Sequence, residues 1–591
     1  MQKSRVHEDV RRLVISALCV AAAVILTRFL GFSPEFTPVR FEIGFLPILL
    51  VAHLFGPLYS GLAYLAADAV GCLAAAQTLN PFIMLCKLAV GVLMGAFFYR
   101  RKLSLLRSIV GFAVIAVTIE FVCMANVFQF YFGYPPREAY SLRALTAFAN
   151  LPVRIFLSYM LGLFLQGARG RIFYGRQSAQ AFITYAHSFQ AVTRPGLERI
   201  SHMLALLGHP EEKLSCIHIA GTNGKGSVSA FLDAILSAAG YRVGRYTSPN
   251  LVRVNERMKL CGKDISDEEM QALFAGLERI AKQTKKELHG DAPTQFEIWT
   301  AAAFLWFARK GCDYVVLETG MGGALDATNA ITRNTASVLT RIDLDHTEYL
   351  GSSIEEITAT KCGILKEKCD LKAVFTVEQE KAALEVIERA AADKKLDLVC
   401  VAPRVCGNHH SLFQKVEWKG EAVTLGLAGV HQCENAALAA AVAEKMGIDD
   451  ACIRQGLATA RHPGRLEILR QEPLLLYDGA HNPNGVRALS RSLECASLQN
   501  LTVIFACMKD KEIDESLLLL KPYAARFLFT TVQGNPRAES PKGVAERAEK
   551  IGIVGEQCDT LGEAIAKADG ENTLICGSLY LYADLPDFYK K

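Results

Sequence analysis

The stretch LSCIHIAGTNGKGSVSAFLDAILSAAG, residues 214–240, decides the fold of the larger part of this chain. Residues 214–220 are short and apolar, as in a buried strand, and residues 228–240 have helical spacing that ends at a glycine. Between them, GTNGKGS (221–227) is a glycine-rich turn. A strand, a glycine-rich turn and a helix in this order predict a loop that binds phosphate groups.

The turn carries the groups that a nucleoside triphosphate requires. Successive backbone N–H groups from Thr222 to Ser227 point into the turn, and the start of the helix adds positive potential. Lys225 supplies a positive charge to the β and γ phosphates, and the hydroxyl of Ser227 can bind Mg²⁺. The stretch departs from the generic GxxxxGK[ST] pattern after the lysine, because Gly226 separates Lys225 from Ser227.

Polar residues follow two further predicted strands. DYVVLETG (313–320) places Glu318 at the carboxyl end of a buried-type strand, where ligands bind in an open parallel sheet and a carboxylate can hold a metal. SVLTRIDLDHTEYLG (337–351) repeats the arrangement with a loop that carries Asp343, Asp345 and His346. The next stretch, ITATKCGILK (357–366), predicts a helix that presents Lys361.

The chain has 591 residues and a mean hydropathy of +0.21, so it is too long for one core and more apolar than a typical soluble enzyme. Residues 1–178 carry 17 Lys and Arg against 7 Asp and Glu, a net charge of +10, and the remainder carries 47 against 53, a net charge of −6. The sparse, basic first part is typical of membrane spans, whereas the remainder resembles a soluble protein. Its acidic balance disfavours nucleic acid as a partner. Seventeen cysteines without a CxxC pair predict reduced thiols and no zinc cluster.

Six apolar stretches predict six membrane spans, approximately at residues 13–31, 43–56, 57–77, 80–99, 108–132 and 146–167. We expect the first to be a retained span rather than a cleaved signal peptide. Basic residues cluster at three places. One cluster precedes the first span, the second follows the fourth span (Arg100, Arg101, Lys102 and Arg107), and the third follows the sixth span (Arg169, Arg171 and Arg176). The positive-inside rule makes all three cytoplasmic, so the remainder of the chain is predicted to be cytosolic.

Several polar residues lie inside the predicted spans, where they are costly. Each one pairs within the protein, lies near the membrane interface or contacts a ligand, and the sequence leaves these readings open for Asp68, Lys87, Glu120, Asn126 and Arg154. In the first span, Ala17 and Ala21 form a small-xxx-small pair, a surface that another helix could approach closely.

At residues 44–71 (GFLPILLVAHLFGPLYSGLAYLAADAVG) and 80–102 (NPFIMLCKLAVGVLMGAFFYRRK), the first part resembles the S component of energy-coupling factor (ECF) vitamin transporters, in particular the folate-type branch. The resemblance covers about residues 10–170 and implies six helices that bind a vitamin near the extracellular side. It also implies that Ala17 and Ala21 dock on a separate transmembrane subunit driven by two ATPases. No ATPase motif occurs in residues 1–178, so these ECF subunits would act in trans.

Ten motifs in the remainder occur in the order found in folylpolyglutamate synthase/dihydrofolate synthase, a Mur-ligase relative. The resemblance spans about residues 190–591. The motifs are GTNGKGS (221–227), YTSPNL (246–251), LETGMGG with LDATN (317–329), LDHTEYLG (344–351), KCGI (361–364), HQCEN (431–435), HPGRLE (462–467), DGAHNP (478–483), NPRA (535–538) and GSLYL (577–581).

The resemblance implies roles for the matching positions. Ser248, Glu318 and His346 would bind Mg²⁺, with Ser227 nearby, and two ions are expected. Lys361 matches a lysine that is carbamylated in this family, and a carbamate is an oxygen ligand for the second metal whereas an ammonium would repel it. The implied catalytic residues are Lys225, His346 and Lys361. The implied ATP contacts are Gly224, Lys225, Gly226, Ser227, Asn435, Arg465, Asp478 and His481.

Two positions depart from the family. Asn250 stands where the family usually has His, and Ala324 stands where it has Arg. We expect these changes to alter pterin or metal-shell contacts and to leave the phosphate and metal positions intact.

The implied reaction begins when ATP phosphorylates a carboxylate of folate or dihydropteroate, and the amine of L-glutamate then attacks the acyl phosphate. No side chain is expected to act as a covalent nucleophile. Arg465 and Asp478 lie at the junction to a smaller domain, so the ATP site should close when the two domains meet. The sequence leaves open whether the product is dihydrofolate, a polyglutamate or both.

Two alternatives remain. A peptidoglycan Mur ligase typically has threonines directly after the GK pair, which the GTNGKGS spelling disfavours. A transporter subunit whose soluble half is a non-catalytic ligand-binding domain is disfavoured by the joint presence of Lys225, Ser227, Glu318, His346 and Lys361.

The predicted fold is multidomain. An all-α six-helix membrane domain (1–178) precedes an α/β Mur-ligase-like P-loop domain (179–466) and a smaller C-terminal α/β Rossmann-like glutamate-ligase domain (467–591). Strands predicted at 474–478, 501–506, 526–531 and 573–577 define the last. The expected location is the cell membrane, with multiple spans and with the enzyme in the cytoplasm.

Overall fold

The computed structural model describes residues 2–28, 43–99, 103–168, 195–406 and 411–590. The chain forms two compact units, Met1–Tyr174 and Gly175–Lys591. We call them the membrane unit and the ligase unit and describe each by itself. The basic residues 100–102, 169, 171 and 176, on which the predicted orientation depends, lie outside the described residues.

The described part of the membrane unit is helical. Its α-helices are α1 (Gln2–Arg28), α2 (Phe45–Phe55), α3 (Pro57–Ala74), α4 (Pro81–Phe98), α5 (Leu105–Ile115), α6 (Met124–Phe132) and α7 (Pro136–Ala168). A π-helical stretch, Ala116–Cys123, joins α5 to α6. Gly56 separates α2 from α3 with a φ of +89°, a backbone conformation that glycine adopts readily.

Four helical segments are long and apolar enough to cross a membrane: Pro57–Ala74, Pro81–Phe98, Leu105–Phe132 and Pro136–Gly162. Two apolar segments are shorter, Leu13–Arg28 and Phe45–Phe55. The count of six spans therefore stays a prediction. The last helix begins at Pro136, well before the expected residue 146. Hydropathy did not indicate this start, because the first turn of the helix contains the charged residues Arg137 and Glu138.

Four of the five polar residues singled out in the predicted spans have a partner within the unit. The Arg154 guanidinium pairs with the Glu120 carboxylate at 2.5 Å, and both side chains are about 10% exposed. The Lys87 ammonium lies over the ring of Tyr64, 5.3 Å from its centre. The amide of Asn126 donates to a tyrosine hydroxyl on α7 at 3.1 Å. Contacts within the protein are therefore observed for Lys87, Glu120, Asn126 and Arg154.

The described part of the ligase unit has two large sheets and a separate two-stranded antiparallel sheet. Its strands are β1 (Cys216–Ala220), β2 (Val243–Tyr246), β3 (Met258–Leu260), β4 (Lys263–Asp264), β5 (Tyr314–Glu318), β6 (Ala336–Leu339), β7 (Ala373–Val377), β8 (Asp397–Val401), β9 (Lys415–Trp418), β10 (Glu421–Thr424), β11 (Glu467–Arg470), β12 (Leu475–Tyr477), β13 (Leu501–Phe505), β14 (Ala524–Phe529), β15 (Gly555–Gln557) and β16 (Thr573–Cys576).

Helices cover both sheets. They are α8 (Glu198–Leu206), α9 (Lys225–Ala238), α10 (Asp267–Glu287), α11 (Gln295–Lys310), α12 (Thr347–Leu350), α13 (Ile354–Cys362), α14 (Lys381–Asp393), α15 (Gln432–Lys445), α16 (Asp450–Thr459), α17 (Pro483–Cys495), α18 (Ile513–Leu520), α19 (Pro541–Lys550) and α20 (Leu561–Lys567). The strand β1 shows why two layers form, because Ile217 and Ile219 pack with α9 and α15 while Cys216 packs with the layer of α10 and α11 on the other face.

The larger sheet has the order β4-β3-β2-β5-β1-β6-β7-β8, and it is parallel except for β3 and β4. The smaller sheet has the order β11-β12-β16-β13-β14-β15, with only β11 antiparallel. The predicted α/β fold is confirmed for both. The Rossmann-like description of the second sheet and the boundary between residues 466 and 467 stay predictions.

The strand order brings the predicted site residues to one edge. The strands β2, β5, β1 and β6 are neighbours and parallel. Their carboxyl ends are followed by Ser248, Glu318, the 221–227 loop and His346 respectively. Ligands bind at this edge of open parallel sheets, so the sheet itself assembles the site.

Candidate active site

The 221–227 loop connects β1 to the first turn of α9. Gly224 has a φ of +93°, and a Cβ there would lie 2.4 Å from Oδ1 of Asn435. Only glycine fits this position, and the fit places Asn435 directly against the loop. The Lys225 ammonium donates to the carbonyl oxygens of Gly221 at 2.9 Å and Thr222 at 3.2 Å. Burial lowers the pKa of Lys225, and the negative charge of Glu318 partly offsets this shift.

The unusual Gly226 has a steric explanation. A Cβ on Gly226 would lie 2.5 Å from Nε2 of His462, a residue of the HPGR segment. The serine or threonine of a generic phosphate loop therefore has no space here, and the hydroxyl moves one residue along, to the buried Ser227. His462 was missed in the sequence analysis, although it begins a motif that was noted there.

Glu318 and Ser248 form the first pair of predicted metal ligands. The carboxylate of Glu318 is buried and accepts a hydrogen bond from the backbone N–H of Ser248 at 3.3 Å. Burial raises the pKa of Glu318 to about 6, against the positive charges of Lys225 and Arg465. Within the described residues Glu318 has no ion-pair partner at contact distance. A buried carboxylate without an ion-pair partner is suited to bind a divalent cation such as Mg²⁺, which prefers oxygen ligands.

Lys361 is only 4% exposed, and its ammonium donates to the carbonyl oxygen of Gly221 at 3.0 Å. Lys225 donates to the same oxygen, so two lysines meet at one atom of the phosphate loop. Burial and the charge of Lys225 lower the pKa of Lys361 to about 7. A large neutral fraction at neutral pH meets the chemical requirement for carbamylation, because CO₂ reacts with the free amine.

His346 lies in the loop after β6, in a left-handed conformation with a φ of +52°. Its neighbour Asp345 contacts the smaller sheet: the Asn482 amide donates to the carboxylate at 3.1 Å, and the Lys511 ammonium lies 3.6 Å from it. Burial lowers the pKa of His346, and the negative charge of Asp345 partly offsets this shift. The predicted contact between the two α/β parts is therefore made beside a predicted metal ligand.

Two of the predicted nucleotide residues, Asp478 and His481, follow β12 of the smaller sheet. Burial raises the pKa of Asp478, and the positive Arg465 opposes the shift. The Asp478 carboxylate accepts hydrogen bonds from the backbone N–H of Leu466 at 2.7 Å and of Ala480 at 2.8 Å. Burial lowers the pKa of His481 to about 4, so its ring is neutral and Nδ1–H donates to a backbone carbonyl at 2.9 Å.

The comparisons with known proteins match both units. The description "Mur ligase middle domain" matches residues 219–443, "Mur ligase, glutamate ligase domain" matches residues 464–579, and "ECF transporter, substrate-specific component" matches residues 11–174. The dihydrofolate synthase/folylpolyglutamate synthase of Bacillus subtilis is 37% identical over 411 residues, which are 66% of this chain and 94% of the relative. The Escherichia coli protein of the same name is 33% identical over 403 residues, 66% of this chain and 90% of the relative.

This chain belongs to the folylpolyglutamate synthase/dihydrofolate synthase family. The solved folylpolyglutamate synthase of Mycobacterium tuberculosis, complexed with ADP and AMPPCP, is similar with a TM-score of 0.63 and 30% identity, and it covers 71% of this chain and 99% of that one. The Thermotoga maritima folylpolyglutamate synthase has a TM-score of 0.62 and 32% identity, with 70% and 99% covered. The chain is thus an ATP-dependent ligase fused to a transporter substrate-specific component.

A cavity of about 610 Å³ opens at the carboxyl edge of the larger sheet of the ligase. We call it the substrate pocket. It is lined by Ser248 and His346 of the larger sheet and by Lys511 of the smaller one, and two arginines, Arg257 and Arg537, also face it. A pocket with these cations next to the predicted metal ligands fits a substrate that carries carboxylates.

The two departures from the family lie at this pocket. The Asn250 side chain accepts a hydrogen bond from Nε of Arg257 at 2.8 Å, so it orients a pocket arginine. Ala324 lines the pocket and packs on Gly363, where an added Cβ would lie 2.3 Å from the Ala324 Cβ. Ala324 therefore forms part of the pocket wall, and Asn250 contacts a residue of that wall.

Three pocket cations were missed in the sequence analysis: Arg257, Lys511 and Arg537. Lys511 follows the carboxyl end of β13, and Arg537 belongs to the NPRA motif that was noted without a role. The position after a parallel strand was a usable signal for Lys511. Arg257 follows an irregular loop, and nothing in its sequence neighbourhood indicated that it faces the pocket.

Proposed function

We propose that the ligase unit joins L-glutamate to folate or dihydropteroate through an acyl phosphate. One observation carries the proposal: Lys225 and Lys361 meet at the Gly221 carbonyl, beside the buried Glu318 and the cationic substrate pocket. The relatives support it, because the Bacillus subtilis protein is a dihydrofolate synthase/folylpolyglutamate synthase and the Escherichia coli structure contains DHPP and ADP.

ATP would bind with its phosphates in the 221–227 loop. The backbone N–H groups of Gly224, Gly226 and Ser227 and the start of α9 would face the phosphate oxygens. The Lys225 ammonium, now on two loop carbonyls, would turn to the β and γ phosphates. The remaining contacts are proposed for Asn435, Arg465, Asp478 and His481, and the neutral ring of His481 adds no charge there.

Magnesium fits the oxygen-rich edge of the larger sheet. We assign its ligands to Ser227, Ser248, Glu318 and His346, and to Lys361 as a carbamate, with two ions in total. Bound there, divalent cations would neutralise charge that develops on the transferring phosphoryl group. The carbamate would replace the positive charge of Lys361 by a negative one and would relieve the repulsion between Lys361 and Lys225.

The chain positions the reactants for two consecutive displacements. A carboxylate oxygen of the pterin substrate attacks the γ-phosphorus, and ADP leaves. The neutral amine of L-glutamate then attacks the acyl carbon, an amide bond forms, and inorganic phosphate leaves with the former carboxylate oxygen while the amine loses a proton. Arg257, Lys511 and Arg537 would hold the carboxylates in the substrate pocket, and the contact of Asp345 with Asn482 and Lys511 would exclude water from the acyl phosphate.

The membrane unit would capture a folate-type vitamin outside the cell. In α1, Ala17 and Ala21 are exposed together with Leu13, so this helix presents an uncovered face of the unit. We propose that this face docks on the transmembrane subunit of an ECF transporter whose ATPases are separate chains. The proposed topology has six spans, and it places the ligase unit in the cytoplasm.

Joining the two activities gives uptake followed by retention. Each added glutamate brings one further carboxylate that is ionised at neutral pH, so the product should cross the membrane poorly. In cells that lack other synthases, Lys225→Ala should reduce the long-term accumulation of labelled folate to the level of simple exchange. Unchanged accumulation would refute the coupling and leave each separate activity standing.

The ligase activity is tested with the full chain in lipid nanodiscs. ADP release is measured with Mg²⁺ and L-glutamate, and with dihydropteroate, tetrahydrofolate or UDP-muramyl peptide as the acid. We expect release with at least one pterin and none with the muramyl peptide, with a product that is heavier by one glutamyl residue. ADP release that does not depend on a pterin would contradict the proposal.

A further inference from the structure

The start of the phosphate loop is fixed by Arg341, which lies two residues after the end of β6. Its carbonyl oxygen accepts hydrogen bonds from the backbone N–H groups of Thr222 at 2.9 Å and Asn223 at 3.3 Å. The Thr222 hydroxyl also donates to the carbonyl oxygen of Asp343 at 2.9 Å. The expectation that the N–H groups of Thr222 and Asn223 point into the turn is therefore wrong. Phosphate oxygens would be bound by the N–H groups from residue 224 onward, at the start of α9.

The side chain of Arg341 reaches a third segment, the start of α15. Its guanidinium donates two hydrogen bonds to the Glu434 carboxylate, from Nε at 3.1 Å and from Nη2 at 2.7 Å. Two parallel bonds of this kind fix the orientation of both groups. Glu434 lies in the first turn of α15, where the helix dipole also favours a negative charge. Arg341 therefore connects the phosphate loop to α15, through its carbonyl oxygen on one side and its guanidinium on the other.

The residue after Glu434 is Asn435, one of the proposed ATP contacts. Asn435 is buried, and its Oδ1 lies so close to the phosphate loop that a Cβ on Gly224 would be 2.4 Å away. The Asn435 amide donates to Oε1 of Gln432 at 3.0 Å, which fixes the side chain within its own helix. The position of Asn435 relative to the loop therefore depends on where the first turn of α15 lies.

The ion pair is not what holds α15 in the fold. The side chains of Arg341 and Glu434 are 41% and 33% exposed, and ion pairs this exposed stabilise a protein only weakly. The helix is anchored in the core by buried side chains, among them Cys433, Ala436 and Leu438. Loss of the ion pair should therefore leave the helix in place and allow its first turn to shift.

We propose that Arg341 is a positioning residue for the nucleotide, and that its pairing with Glu434 holds Asn435 against the phosphate loop. This inference rests on the proposed ligase function and adds two residues to its ATP site. Arg341 acts through the backbone of the loop, and Glu434 acts through the start of the helix.

The charge of Glu434 distinguishes positioning from a direct electrostatic effect. ATP is an anion, so a carboxylate near its phosphates opposes binding by Coulomb repulsion. If Glu434 acted only through its charge, its removal would strengthen ATP binding. If Glu434 holds Asn435 in place, its removal weakens ATP binding.

The test measures nucleotide affinity with the full chain in lipid nanodiscs. Isothermal titration calorimetry with Mg²⁺ gives Kd for AMPPCP, and steady-state ADP release gives kcat and KM for each substrate. For Glu434→Gln and for Arg341→Gln we expect Kd for AMPPCP and KM for ATP to rise about fivefold. We expect kcat and KM for the pterin substrate to stay within about twofold. The double variant should lose no more affinity than either single variant, because both changes break one contact.

The matched control is Glu571→Gln in the smaller sheet. Glu571 accepts two hydrogen bonds from Arg526 of β14, at 3.1 Å and 2.9 Å, and this pair is similarly exposed. Neither residue is among the described side chains that line the substrate pocket. Glu571→Gln should leave nucleotide affinity unchanged, and Glu434→Gln should lower the melting temperature no more than this control does.

Three results would overturn the proposal. The first is AMPPCP binding by Glu434→Gln that is unchanged or tighter. The second is a loss of affinity in the double variant that equals the sum of the two single losses. The third is an equal decrease of kcat and of the affinity for every substrate, which would indicate a general loss of structure. If the unsubstituted chain binds AMPPCP but releases no ADP with any pterin, the proposed function fails, and the Kd values still decide the role of Arg341.

Discussion

The two units of this chain treat buried charge in opposite ways. In the membrane unit, the Arg154 guanidinium and the Glu120 carboxylate lie on neighbouring helices and neutralise each other at 2.5 Å. In the ligase unit, Glu318 and Lys361 are equally buried, yet within the described residues neither has an oppositely charged side chain at contact distance. A buried pair is complete by itself, whereas a buried single charge requires a ligand or a change of its protonation.

The difference indicates where each unit is structural and where it is functional. Removing one member of the membrane pair should mainly affect stability, because the other charge loses its ion-pair contact. Removing a single buried charge of the ligase unit should mainly affect turnover, since that charge is expected to bind a metal or a phosphate. Three substitutions test this contrast, and a fourth tests the packing of the phosphate loop.

The largest effect is expected for Lys225→Ala. The change removes the positive charge that contacts the β and γ phosphates, so kcat/KM for ATP should fall by about 1000-fold or more. Steady-state ADP release measures it, with Lys213→Ala, an exposed lysine before β1, as the control. A decrease of less than about tenfold would mean that Lys225 does not contact the nucleotide.

Glu120→Gln should destabilise the membrane unit by about 3 kcal/mol, because the Arg154 charge stays buried without its partner. Thermal unfolding in detergent measures the loss, and Glu138→Gln, exposed in the first turn of α7, is the control. ADP release by the ligase unit should not change. Equal stability of Glu120→Gln and the control would show that the pair contributes nothing.

Lys361→Ala should lower kcat by on the order of 100-fold through loss of a metal ligand. Because the pKa of Lys361 is about 7, its amine becomes charged as the pH falls below 7, and carbamylation should fall with it. Activity lost at pH 6 should therefore return in part when bicarbonate is added. A carbon-13 carbamate signal from labelled bicarbonate should appear in the unsubstituted chain and be missing from Lys361→Ala; its presence in both would assign the carbamate to another lysine.

The smallest effect is expected for Gly226→Ala. Its Cβ would lie 2.5 Å from Nε2 of His462, so the loop must shift, and KM for ATP should rise by about tenfold. The double variant Gly226→Ala with His462→Ala should recover most of the affinity. No recovery in the double variant would show that the constraint at Gly226 is not His462.

The sequence predicted the elements of the ligase site well because its signals are local. Their sequences placed three elements at one edge of the sheet, and the structure has them there: the loop at 221–227, the strand that ends at Glu318 and the strand before His346. The position of Lys259 opposite Arg245 was not predicted, because it depends on the pairing of β2 with β3. The contact of His462 with Gly226 likewise joins residues far apart in the chain.

In the membrane unit, apolar stretches located the helices but not all of their ends. Hydropathy placed the start of the last helix at residue 146, whereas α7 begins at Pro136, a residue whose fixed φ favours a first helical turn. Hydropathy also could not distinguish the pairing of Glu120 with Arg154 from a ligand contact. That distinction depends on which helices are neighbours, and the sequence of one chain does not specify it.

The central claim is that the ligase unit activates an acid as an acyl phosphate, and isotope transfer tests it most directly. Tetrahydrofolate labelled with oxygen-18 in its γ-carboxylate is converted by the full chain with ATP, Mg²⁺ and L-glutamate, and the inorganic phosphate is analysed by mass spectrometry. We predict one labelled oxygen in each phosphate released. Unlabelled phosphate accompanied by amide product would contradict the account.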